Sequence, residues 1–256
     1  MRESASRAAD SGPGDAGRQP LLSVRDLVKT FGPVRAVDGV SLDVWPAEVV
    51  GIVGDNGAGK STFLSLLAGF HQPDAGRFLY RGEPVDIRSP REARHRLGIE
   101  MVYQTLALAP DLTAEDNLFL GEEPMLAGVF ADRRTMRRRS AQVLKDLNSR
   151  VSPKDTVSRL SGGEKQTVAI GRALLFDRDI VILDEPTAAI SVQKVREVLE
   201  LILRLKTYGK AVLLVSHRLE DVLEISDRIV VFFQGRIRAV LANHDLAVGD
   251  LIRQMF

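Results

Sequence analysis

Gly54-Asp55-Asn56-Gly57-Ala58-Gly59-Lys60-Ser61, followed by Thr62, is the stretch whose reading decides the fold. It fits the pattern G-x-x-x-x-G-K-[ST]. An apolar run at 49–53 precedes it, and a helix-favouring run at 61–67, stopped by Gly69, follows. Glycines let a backbone wrap a chain of phosphates without Cβ clashes, so that its N–H groups point inward. The free N–H groups and the dipole at the start of the following helix add to the attraction for anions. Lys60 is placed to reach β- and γ-phosphates, and the Ser61 hydroxyl to hold Mg²⁺. A glycine-rich turn with a surface lysine is the bland alternative, and the flanking strand and helix argue against it.

Working outward, strands and helices alternate beyond residue 160. Apolar strand-like runs stand at 180–183, 211–215 and 229–233, with helical patterns at 192–205 and 219–225 between them. Val192, Val195, Val198, Leu199 and Ile202 share one helix face. This alternation predicts an α/β fold with a mostly parallel sheet covered on both faces. Residues 22–52 read as β with turns at 31–33 and 45–47, and 77–87 is strand-like again. From about 90 to 160 the chain turns polar and helix-favouring, which predicts an inserted helical subdomain. Residues 1–20, rich in Ser, Ala, Gly and Pro, cannot offset their ordering entropy and read as a disordered tail, leaving 21–256 as one domain.

The run at 180–183 ends in Asp184-Glu185-Pro186. Carboxylates at the C-terminal end of a parallel strand face the ligand crevice of such folds. Asp184 is placed to hold Mg²⁺ through water, and Glu185 to orient and polarise an attacking water. On its own the triplet would read as a charged turn.

Bulk properties bound the rest. The chain has 256 residues, 45% hydrophobic and 27% charged, enough for a core without staples. It contains no cysteine, so neither a disulfide nor a thiol nucleophile is available. A net charge of +1 gives no global pull toward nucleic acid. The basic run at 133–139 lacks interleaved aromatics and reads as a solvated helix face. No apolar run approaches the ~18 residues that span a bilayer, and no apolar segment of a secretory signal is visible. The expectation is a cytoplasmic protein that reaches the membrane through a partner.

Leu160-Ser161-Gly162-Gly163-Glu164-Lys165-Gln166 resembles the signature of ATP-binding-cassette proteins, with Glu164 where Gln is most frequent. The resemblance covers residues 22–256, and five motifs occur in the family's order. It implies a phosphate-loop NTPase core with an N-terminal antiparallel β subdomain and an inserted helical subdomain. It also implies a head-to-tail homodimer in which Ser161, Gly162, Gly163 and Glu164 cap the ATP held by the partner's cradle. Gln104 matches the glutamine that touches Mg²⁺ or the attacking water and senses the membrane partner. His217 matches the histidine that contacts the γ-phosphate, and Phe31 the aromatic that stacks on adenine. Read alone, these three are a loop glutamine, a turn histidine and a core phenylalanine. The resemblance departs at Ala188-Ala189-Ile190-Ser191, where many relatives place an aspartate and sugar-importer relatives often do not.

Two longer stretches, 98–108 and 112–121, together with 81–85 and 89–93, resemble importers of ribose, xylose and fructose. This implies an ATPase that powers carbohydrate import, using ATP and Mg²⁺. The partners implied are two transmembrane permease subunits, indirectly an extracytoplasmic sugar-binding protein, and no nucleic acid. Its place is the cytoplasmic face of the membrane. Apolar residues after Gln104 are expected near the groove that receives a permease helix. Two rivals remain at this point: a cassette ATPase acting on ribosomes or DNA, and a module that holds ATP without turnover.

Overall fold

The computed structural model of the chain describes residues 19–188 and 190–255, apart from the side chains of Val192 and Gln193. The expected tail at 1–20 therefore lies outside the described residues except for its last two. Gln19 is fixed, its side-chain amide donating to the Arg81 carbonyl at 2.8 Å.

Two long strands, β1 (Leu22–Phe31) and β2 (Val34–Val44), form an antiparallel hairpin closed by Gly32 and Pro33. After β3 (Val49–Gly54) and α1 (Lys60–Leu67), the chain returns with β4 (Ala75–Tyr80) and β5 (Glu83–Val85). These complete a four-stranded sheet in the order β2-β1-β4-β5. The strand-like stretch 77–87 is thus two strands, because Arg81 and Gly82 both take positive φ and turn the chain.

Next come α2 (Pro90–Leu97) and β6 (Ile99–Val102). Beyond the helical segment lie β9 (Ile180–Asp184), α6 (Val192–Thr207), β10 (Ala211–Val215), α7 (Leu219–Ile225), β11 (Arg228–Phe233), β12 (Arg236–Ala242) and α8 (Val248–Met255). The central sheet runs β12-β11-β3-β10-β9-β6, parallel throughout except for β12. Alternation along its strands feeds two apolar cores, one on each face. Val49, Val181, Leu183, Val212 and Leu214 pack with α6 and with the helix Gly162–Leu175 on one side. Val50, Ile52, Ile180, Ile182, Leu213 and Val215 pack with α1 and the antiparallel sheet on the other. The Val195, Val198, Leu199 and Ile202 stripe of α6 is buried as its spacing predicts.

The stretch from about 90 to 160 is not wholly an inserted helical unit. Residues 99–102 form β6, which pairs with β9 as the edge strand of the central sheet. The helical elements proper are α3 (Ala114–Phe119), α4 (Arg133–Asp146) and α5 (Gly162–Leu175), with a small hairpin of β7 (Met125–Leu126) and β8 (Phe130–Ala131) between the first two. Nor is the basic run at 133–139 uniformly solvated. Arg133 pairs with Asp116 and Arg137 with Glu115, while Arg139 donates to the Leu175 carbonyl at 2.6 Å and lies over the Phe119 and Phe176 rings. Arg134 and Arg138 are exposed. Among the described residues, no helix is long and apolar enough to cross a membrane.

Candidate active site

The turn from β3 into α1 is a place only glycine fills. Gly54 has φ 149° and Gly59 φ 102°. A Cβ on Gly54 would run into the Phe232 carbonyl, and one on Gly59 into the Ala36 carbonyl. No side chain caps α1 and no acidic residue stands in its first turn, so its N–H groups remain available to an anion. Lys60, 6% exposed, folds back and donates to the Gly54 carbonyl at 2.7 Å and the Asp55 carbonyl at 3.0 Å. Burial lowers its pKa, against the opposing pull of Glu185, Asp55 and Asp184.

β9 delivers the carboxylates. Asp184 is its last residue, paired with Val215 of β10. Glu185 follows with φ 54°, a left-handed conformation that costs a non-glycine residue and is held by its N–H donating to the Val215 carbonyl at 2.9 Å. This turn brings the second carboxylate into the same cleft as the first. The Glu185 Oε2 accepts from the His217 N–H at 3.2 Å. Its Oε1 lies 3.2 Å from His217 Nε2, yet is buried with no hydrogen-bond partner. Burial raises the pKa of Asp184 and of Glu185 above the ordinary carboxylate range.

A cleft of about 460 Å³ gathers these groups: Asn56, Gly57, Ala58, Gly59, Lys60, Ser61, Thr62, Gln104, Asp184, Glu185 and His217 all line it. Gly54 and Asp55 stand behind, supplying the carbonyls that hold Lys60. Phe31 does not line the cleft. It is 43% exposed at the end of β1, edge-on to His71 at 5.1 Å, and pairs across the hairpin with Val34, which does line it. Arg35 and Ala36 of β2, and Gln234 and Gly235 between β11 and β12, line the cleft as well and were not expected. The Gln234-Gly235 turn is tied to the loop by the Gly235 N–H donating to the Ala58 carbonyl at 2.9 Å. Its only sequence signal is a residue–glycine pair between two strand-like runs.

The stretch Ser161, Gly162, Gly163, Glu164 stands apart. Ser161 caps α5 in a reciprocal box: the Glu164 carboxylate accepts from the Ser161 N–H at 2.8 Å, and Ser161 Oγ from the Glu164 N–H. Gly163 and Glu164 line a different hollow, with Lys194 and Glu197, that shares no residue with the cleft. Ser191 is exposed at the N-cap of α6 and makes no side-chain capping bond. Ala189 lies outside the described residues.

A family model described as ABC transporter matches residues 37–188, more than half of the chain. A fructose import ATP-binding protein of Rhizobium meliloti is 40% identical, the match covering 93% of this chain and 94% of that one. A xylose/arabinose import ATP-binding protein of Sulfolobus acidocaldarius is 44% identical over 85% of this chain and 86% of its own. A ribose import ATP-binding protein of Rubrobacter xylanophilus is 42% identical over 93% of this chain, which spans only 48% of that relative. Among solved structures, a nucleotide-free ATP-binding cassette from an ABC transporter superposes with a TM-score of 0.79, at 29% identity, covering 92% of this chain and 94% of that chain. With a glycine-framed loop and two carboxylates in one cleft, and with these matches over most of its length, the chain belongs to the ABC transporter family.

Proposed function

We propose that this chain is the ATP-hydrolysing subunit of a membrane importer for a monosaccharide, acting as a homodimer on two transmembrane permease subunits. One observation carries the reading: a single cleft brings together the phosphate loop, Gln104, Asp184, Glu185 and His217. The loop N–H groups and Lys60 bind the phosphates of ATP, and Lys60 exchanges its loop carbonyls for phosphate oxygens. Phe31, exposed beside the lining residue Val34, offers a ring face to adenine. Ser161, Gly162 and Gly163 of a second copy close the site, since within one chain none of the three lines the cleft.

Mg²⁺ fits the donors present. Among the described residues no group of three or more His, Asp or Glu could cage a metal. A hydroxyl on Ser61, an amide on Gln104 and a carboxylate on Asp184 suit an ion that keeps several waters and shares phosphate oxygens. When bound it neutralises phosphate charge. Glu185 does the proton work: its raised pKa makes it a better base for the attacking water, and Oε1 has no competing hydrogen bond. His217 keeps that carboxylate in place through its backbone N–H.

The three import proteins above, named for ribose, xylose/arabinose and fructose, support a monosaccharide as cargo and a sugar-binding protein as indirect partner. Attachment to the cytoplasmic face through permeases follows from the same likeness. Nucleic acid is not a partner in this reading. The experiment is uptake of labelled ribose, xylose and fructose by cells with the wild-type gene or one encoding Glu185→Gln. Loss of uptake of one sugar in the mutant is expected. Unchanged uptake of all three, with normal phosphate release by the purified mutant chain, would overturn the reading.

A further inference from the structure

Between the central sheet and the helical segment lies a buried cluster of charge that the nucleotide cleft does not use. Glu100 sits on β6, four residues before Gln104, and is 3% exposed. Val102, two residues along on the same side of the strand, packs in the apolar core shared with α5. An apolar residue would continue that pattern. Instead the Glu100 carboxylate faces three guanidinium groups brought from three places. Arg94 of α2 approaches with Nε at 3.3 Å, Arg178 just before β9 with Nε at 3.6 Å, and Arg172 in the last turn of α5 with Nε at 3.6 Å.

The arginines are committed elsewhere too. Arg178 donates to both Glu122 oxygens at 2.6 and 2.7 Å and to the Arg94 carbonyl at 3.0 Å. Arg172 donates to the Asn117 carbonyl at 3.0 Å and the Leu120 carbonyl at 3.2 Å, at the end of α3. Glu100 Oε2, Arg94 Nε and Arg178 Nε are buried without an aligned hydrogen bond, so charge rather than directed bonding holds Glu100.

Stability does not explain the arrangement. Taking a carboxylate out of water is costly, and well-packed apolar groups of similar volume are often as stable as a buried ion cluster. Orientation does explain it. A carboxylate at the meeting point of three cations fixes where their elements stand, and two of the elements joined here carry parts of the proposed site. β6 leads into Gln104, and α5 opens with Ser161, Gly162 and Gly163. Arg172 lies eleven residues along α5 from Ser161, roughly 16 Å at ~1.5 Å per residue. A tilt of ~4° about the Arg172 end would move Ser161 by about 1 Å over that length.

We propose that Glu100 is a positioning residue for ATP turnover, setting the signature helix α5 against the strand that delivers Gln104. The inference rests on Gln104 and Ser161 serving the site as proposed above. In the full chain, Glu100→Gln keeps the size and removes the charge. ATP affinity and KM should stay within about twofold, while kcat falls about 10- to 100-fold, as misplacements near 1 Å can cause. Glu100→Asp, which keeps the charge, should recover part of kcat. Turnover at the wild-type rate, or kcat and ATP affinity falling in the same proportion, would overturn the proposal. Should Glu100→Gln fail to fold, Arg172→Lys carries the same comparison, since it keeps the charge but loses the forked contact to Asn117 and Leu120. For that variant, lost kcat with retained ATP affinity supports the proposal and wild-type kcat overturns it. Glu185→Gln run alongside separates the two readings. If it hydrolyses ATP normally, the site itself is misassigned; if it is inactive while Glu100→Gln is normal, only the positioning role fails.

Discussion

Glu185 and His217 meet at the ends of β9 and β10, with Glu185 Oε1 3.2 Å from His217 Nε2 and the His217 N–H donating to Oε2 at 3.2 Å. The contact depends on the left-handed turn at Glu185, because a residue continuing the strand would point its side chain to the opposite face from Asp184. The cleft therefore receives two carboxylates in sequence.

Glu185→Gln should preserve ATP binding and lower turnover by about 10²- to 10⁴-fold, the range a general base supplies. The amide keeps the acceptor for the His217 N–H, so the turn should hold. The mutant should then accumulate as an ATP-bound dimer in size-exclusion chromatography. Wild-type phosphate release would remove Glu185 from the chemistry.

Lys60→Ala should weaken ATP binding by about 10- to 100-fold, since a charge-assisted hydrogen bond is worth roughly 1.5–3 kcal/mol. The same substitution leaves the Gly54 and Asp55 carbonyls without the ammonium that now bridges them. Calorimetric titration with ATP decides, and near-normal affinity would mean that the loop binds something else.

The phosphate loop and the acidic strand end were legible because each is contiguous and each ends an apolar strand. β6 was not, and Glu100 is the reason. A charge inside the run Ile99-Glu100-Met101-Val102 breaks its strand pattern, and the arginines that make it tolerable stand at 94, 172 and 178. Arg35, Ala36, Gln234 and Gly235 were missed for a similar reason, as they reach the cleft only through hairpins that fold against the loop. β12 and α8, at the edge of the sheet and the end of the chain, carry weaker patterns and were not anticipated. Phe31 shows the opposite case: core packing was the plain reading, and its ring is exposed.

The raised carboxyl groups give a signed pH effect. Burial lifts Glu185 above its ordinary 4.5, so the native state holds that proton more tightly than the unfolded chain does. Its contribution to stability is fully present below pH 4.5 and is lost as pH rises through the raised value. At neutral pH the ionised, buried carboxylate thus costs stability. Glu185→Gln should raise the nucleotide-free Tm at neutral pH, and the gain should vanish toward pH 4.5. In the wild type, the acid limb of kcat/KM should lie above 4.5. A lower Tm for the mutant at neutral pH would show that the charge is stabilised by its surroundings.

Ser161→Arg separates affinity from turnover. The cleft proposed for ATP contains none of Ser161, Gly162, Gly163 and Glu164, so ATP binding to the isolated chain should be largely intact. The N-cap of α5 is lost, which costs ~1 kcal/mol and should lower Tm modestly. Dimer closure should fail, because a long side chain occupies the place meant for the partner's γ-phosphate, and hydrolysis should fall with Glu185 untouched. Mixing Ser161→Arg chains with Lys60→Ala chains then tests the head-to-tail geometry. In a mixed dimer, the sound cradle of one chain meets the sound signature of the other, and both lesions fall in the second site. One chemically complete site survives. If each chain used its own signature, both sites would be damaged. ATP-dependent dimerisation in the mixture, absent from either mutant alone, is the expected result. Strong hydrolysis by Ser161→Arg alone, with no dimer at any concentration, would show that the chain closes its site without a partner.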